Sequence, residues 1–189
     1  MVMLADIVLI FSIIVLFLLG LVVILNNSKS TANRILTAFI ASSIFWVFTN
    51  LMANIATTDQ AALFWSRLAL PSAALLVHLF MVYTYYFPKR RAYKRFTLQL
   101  FGAPLLFFAG FTFTDYNASS ITAGQNNLVV GSLYYVFIAY FIVSGIVGFR
   151  NLIRSYKESA GKERMQVAYM LAGLLLAFIP GLITNAFAI

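Results

Sequence analysis

The sequence contains no cysteine, which excludes disulfides, thiolate metal sites and thiol nucleophiles. Charge is nearly as scarce: charged residues make up 10% of the 189, with 5 Asp and Glu in all, whereas a soluble domain carries about 25% charge. Histidine occurs once. So few acids and one imidazole leave no pair of deep carboxylates and no His and carboxylate spacing for a metal. The chain also has no phosphate-cradling glycine loop, and no Ser, His and Asp set outside membrane-buried positions. No lysine falls inside an apolar run, so a retinal Schiff base has no anchor. The chain shows no catalytic domain, calls for no cofactor or metal, and is not expected to be an enzyme.

What the chain has is hydrophobic length. Hydrophobic residues make up 62% of it and the mean hydropathy is +0.93, so its solvent is lipid. Apolar runs bounded by charge or turn residues predict about six transmembrane helices at 7–25, 35–56, 61–87, 96–113, 128–149 and 165–189. This is an all-α polytopic bundle forming one transmembrane domain over 1–189. The first run has no Lys or Arg before it, carries Asp6, and lacks a clear small-residue cleavage site, so it reads as a retained helix rather than a secretory signal. The fourth is the shortest and is interrupted by Gly102 and Pro104, where a kink is expected. The longest connector, Thr114 to Asn127, reads as a polar loop, and its Asn-Ala-Ser sequon at Asn117 as a chance occurrence.

Charge fixes the orientation. Of 13 basic residues, Lys29 and Arg34 lie in the first connector, Lys89, Arg90, Arg91, Lys94 and Arg95 in the third, and Arg150, Arg154, Lys157, Lys162 and Arg164 in the fifth. Connectors two and four hold only Asp59 and Asp115. By the positive-inside rule connectors one, three and five are cytoplasmic and the N-terminus is outside, in a plasma membrane. The net charge of +8 is thus a topology signal and not a nucleic-acid-binding face. The chain stops on an apolar Ala-Phe-Ala-Ile, which leaves two readings open: a fragment lacking one further crossing, or a stand-alone six-helix protein.

Arg67 is the basic residue that escapes this pattern, roughly 9 Å inside the third span at 1.5 Å per residue. Folding the second and third helices about the Thr57 to Gln60 turn sets Asn50 level with it, with Asn54 and Trp46 on the same face. Read functionally, Trp46, Asn50, Asn54 and Arg67 line an outward-facing site, with Arg67 offered to an anionic or carbonyl group of a ligand. Read structurally, Arg67 snorkels or pairs with Asp59 and the asparagines join helices by hydrogen bonds. His78, near the midplane, lacks the acidic or basic partners of a proton relay and is expected to be a hydrogen-bonded packing residue. Tyr83, Tyr85 and Tyr86 before Phe87-Pro88 form an interfacial belt, and the basic cluster from Lys89 to Arg95 meets lipid headgroups. Gly173, Ala177 and Gly181 on the sixth helix, and Ser144 and Gly148 on the fifth, form small-residue stripes suited to packing these helices together or to a homodimer. Pro180 beside the first stripe could bend the sixth helix.

Several local motifs resemble the N-terminal seven-transmembrane sensor region of prokaryotic histidine kinases. They are Asn33-Arg34 followed by Phe39 and Trp46, Phe64-Trp65-Ser66-Arg67, Phe87-Pro88 before a basic loop, and Glu163-Arg164-Met165-Gln166 leading into Gly173. The resemblance covers about residues 7 to 189. It implies a membrane-embedded sensory domain that passes an extracytoplasmic or membrane stimulus to a cytoplasmic signalling partner, in cis or in trans. The family's seventh helix and output module are not in the sequence, so kinase activity does not carry over. The alternative class is a small transporter or channel. Transporters usually show internal repeats and matched broken helices, and here the interruptions are counted in the fourth and sixth helices alone.

Overall fold

The computed structural model describes residues 2–88, 95–123 and 127–187. These form six helices and one two-stranded hairpin, an all-α membrane bundle. Helix α1 (Val2–Asn26) is hydrophobic on every face, and Leu4, Phe11, Phe17, Val22 and Leu25 among others stay exposed. In lipid such a helix needs no buried face. It packs on α2 (Thr31–Ile55), which starts at Ser30, whose hydroxyl accepts from the Asn33 backbone N–H.

The Asn33-Arg34 motif has a structural job at this reversal. Asn33 Nδ2 donates to the carbonyls of Val23 and Asn27, each at 3.2 Å, and Arg34 Nε donates to Ser28 O at 2.8 Å. The Val23 carbonyl in the last turn of α1, and those of Asn27 and Ser28 just beyond it, are thereby held by side chains of the next helix.

Helix α3 (Asp59–Tyr86) is the hub. Thr58 caps it, accepting from the Ala61 N–H, and Asp59 in its first turn suits the helix dipole. It packs against α2, α4 (Arg95–Gly110), α5 (Ser132–Glu158) and strand β1 (Ala118–Ser120), while α6 (Gly161–Phe187) packs on α5. Strand β1 pairs antiparallel with β2 (Val129–Val130) and forms a cap at the Asp59 end of α3. The core lies around α3 in two clusters. Leu70, Ala73, Ala74, Phe108 and Phe137 form the one nearer the cap, and Phe80, Leu152, Val167 and Leu174 the one farther from it.

Among the described residues four helices, α1, α2, α3 and α5, are long and apolar enough to cross a membrane. Helix α4 has 16 residues, about 24 Å of rise, and contains Pro104.

Several expectations need correction. The run from Leu128 does not open a helix: Val129 and Val130 are in β2, and α5 begins at Ser132. Gly131 sits at the junction because a Cβ there would overlap the carbonyl oxygens of Asp115 and Tyr116. The small stripe of α5 serves α3 and not α6, since a Cβ on Gly148 would overlap the Phe80 ring. On α6, a Cβ on Gly173 would meet nothing within 4 Å. Tyr83 is 3% exposed and stacks on Phe87 at 5.2 Å between ring centroids, so it belongs to the interior and not to an interfacial belt. Lys89, Arg90, Arg91 and Lys94 lie outside the described residues, and Arg95 is the first residue of α4.

Candidate functional site

Pro71 sits inside α3 and has no N–H, so the carbonyl four residues earlier, on Arg67, loses its helical partner. Asn117 supplies a replacement. Its Nδ2 donates to Arg67 O at 2.8 Å and to Thr112 O at 2.8 Å, and the residue is 3% exposed. Sequence reasoning missed this pairing, because interruptions were counted only in the fourth and sixth helices. The signal was a proline within the third apolar run and an asparagine in the outer connector. The sequon at Asn117 is buried and its amide is committed.

The Arg67 side chain fastens the same cap. Nε and Nη2 donate to Ala118 O at 2.9 and 2.8 Å, Nη1 donates to Phe113 O at 3.1 Å, and Nη2 pairs with Asp115 Oδ1 at 2.6 Å. The ionic partner is therefore Asp115, and Asp59 instead accepts from the Ala123 N–H at 2.8 Å. Asp59 and Asp115 thus both tie the fourth connector to α3.

The four consecutive residues Phe64-Trp65-Ser66-Arg67 span one turn of α3 and so face four ways. Phe64 stacks on Phe113 of the cap at 5.5 Å, and Trp65 meets Phe48 of α2 edge-on at 5.5 Å. Arg67 holds the cap carbonyls, and Ser66 lines a cavity.

That cavity has a volume of about 700 Å³ and lies beneath the cap, walled by α1, α2, α3, α5, the hairpin and Leu174 of α6. Its walls are mostly apolar, with Val15, Phe39, Leu70, Leu76, Phe137 and Phe141 prominent. Of the four residues read from the sequence, Trp46 and Asn50 line it, whereas Asn54 and Arg67 are not among its lining residues. Asn50 Nδ2 donates to Trp46 O at 2.7 Å, a bond within α2 and not between helices.

His78 is 8% exposed and lies away from this cavity. Its Nδ1 is 3.4 Å from Tyr140 Oη, and Tyr140 donates to Phe101 O at 3.0 Å. A hydroxyl has one proton, and the carbonyl can only accept. The tyrosine therefore receives from an Nδ1–H tautomer, and the three groups join α3, α5 and α4. Among the described residues no cluster of His, Asp or Glu could hold a metal ion.

A family model described as the N-terminal 7TM region of histidine kinase matches residues 8–187. The chain belongs to this family. Comparison with curated proteins and with solved structures gives no match. For this histidine kinase N-terminal region the four motifs acquire concrete places: the Asn33-Arg34 clasp, the Phe64 to Arg67 turn, the Tyr83 and Phe87 stack, and the start of α6. At that start Arg164 lies over the Tyr156 ring of α5, 4.5 Å from its centroid.

Proposed function

We propose that this chain is the sensory input domain of a plasma-membrane signalling receptor. A stimulus at its outer half biases helix packing, and the bias passes to a cytoplasmic output module of histidine kinase type, in cis or in trans. One observation carries this: the cavity and the outer cap share α3, and that helix continues into the inner core. Ser66 lines the cavity while its neighbour Arg67 holds the cap, and Phe80, about 20 Å further along α3, packs in the inner cluster. A change in the outer half that tilts α3 reaches Phe80, Phe149 and Leu152 without any soluble intermediary.

Trp46 and Asn50 are the residues proposed to meet the stimulus, with Arg67 and Asn117 setting the position of the cap. The test is to place the chain upstream of a histidine kinase catalytic module and measure autophosphorylation in membranes. Asn117→Ala, which loosens the cap from α3, should change the rate at least threefold. An unchanged rate at equal folded protein would contradict the proposal. Saturable solute flux in proteoliposomes would instead support a transporter.

A further inference from the structure

The cavity beneath the cap is elongated along the helices. Phe39 to Asn50 on α2 and Ser66 to Leu76 on α3 both line it, about 15 Å of rise on each side. Its two ends differ in chemistry. Toward the cap, Trp46, Asn50, Ser66 and Tyr134 line it, and neither the Trp46 indole N–H, Asn50 Oδ1, Ser66 Oγ nor Tyr134 Oη is hydrogen-bonded to a described residue. Deeper in, Phe39, Leu76, Phe141 and Leu174 close it with hydrocarbon.

Polar groups that line a space within a membrane protein gain when a ligand supplies their bonds. Here they comprise an indole donor, an amide acceptor and two hydroxyls, gathered at one end. Among the described residues no charged side chain lines the cavity. The guanidinium of Arg67, next to Ser66 in sequence, is paired with Asp115 and donates to the carbonyls of Phe113 and Ala118. An anionic headgroup would enter without a counterion and lose its hydration, so the lining selects against it.

The volume also bears on what fits. The space suits a molecule of ligand size, in the range of about 300–1,000 Å³. We infer that the cavity binds a neutral, single-chain amphipathic lipid, with a hydroxylated headgroup held by Trp46, Asn50, Ser66 and Tyr134 and its hydrocarbon chain running inward toward Leu76 and Leu174. This assigns a ligand class to the site of the proposed sensor and rests on that reading for its biological meaning. The binding itself is measurable without any signalling readout.

The chain has two tryptophans, so Trp65→Phe leaves Trp46 as a fluorescent reporter on the cavity wall. The Trp65→Phe protein in phosphatidylcholine nanodiscs is titrated with a monoacylglycerol whose medium-length chain carries bromine, a contact quencher. The expected result is saturable quenching of Trp46, with a midpoint raised at least tenfold by Asn50→Leu and no saturable phase in Ser43→Phe, which fills the cavity. The matching brominated fatty acid at pH 8 should bind at least tenfold more weakly. Thermal unfolding of each variant confirms that it is folded. Quenching that rises linearly with probe and is the same in the filled variant would be bulk-lipid contact and would overturn the inference. So would equal or tighter binding of the fatty acid, or no quenching in a folded protein. Saturable binding with no change in kinase output would sink the sensor proposal and leave this assignment standing.

Discussion

Truncating Asn117 to alanine leaves the carbonyls of Arg67 and Thr112 unpaired away from water, where each costs about 1–3 kcal/mol. The expected loss of stability is about 2–4 kcal/mol, read by thermal unfolding in detergent. In a Pro71→Ala background the Arg67 carbonyl regains a helical N–H, so the cost of Asn117→Ala should fall by about half. An additive double-mutant cycle would contradict the coupling. Arg67 invites a similar comparison. Its partner Asp115 is 84% exposed, so their ion pair contributes at most about 1 kcal/mol. Hydrogen bonds from a charged donor to the carbonyls of Phe113 and Ala118 are worth about 1.5–3 kcal/mol each. Arg67→Ala should therefore lower the melting temperature well beyond Asp115→Ala. A loss of response with native stability would restore Arg67 as a ligand contact. At this scale the sequence located Arg67 and the Trp46 and Asn50 row but not the partners of Arg67. Those come from a connector some fifty positions away, and nothing in a local pattern encodes such a pairing.

At the scale of elements, the small residues of α5 are set by the helix they meet. Gly148→Ala forces a Cβ into the Phe80 ring and should destabilise the bundle by about 1–3 kcal/mol, with Phe80→Leu recovering most of it. Calorimetry on the single and double variants checks this, and a lone Gly148→Ala of native stability would contradict the packing. Helices were legible because lipid demands long apolar runs with every backbone group paired internally. The hairpin was not legible, because Val129 and Val130 continue the apolar run of α5. Only the Gly131-Ser132 step marks where strand gives way to helix. The direction of the Ser144 and Gly148 stripe was equally hidden, since spacing tells which residues share a face but not which neighbour that face meets.

For the whole molecule, the distribution of basic residues over alternate connectors predicts the cap outside and the turn from α5 to α6 inside. The cysteine-free chain permits a clean check: Ser119→Cys should react with an impermeant maleimide on intact cells, and Lys157→Cys only after permeabilisation. The opposite labelling would invert the bundle. In this orientation α3 links the outer cap to the inner core, and transmission along it is the central claim. The most direct test replaces Asp59 and Ala123, which meet across a 2.8 Å hydrogen bond, with cysteines. The pair is bridged by a thiol-cleavable bismaleimide in a chain carrying a histidine kinase module. Cross-linking should shift autophosphorylation at least threefold, and cleavage in the same sample should reverse it. Complete cross-linking with no change in autophosphorylation would contradict transmission from the cap through α3.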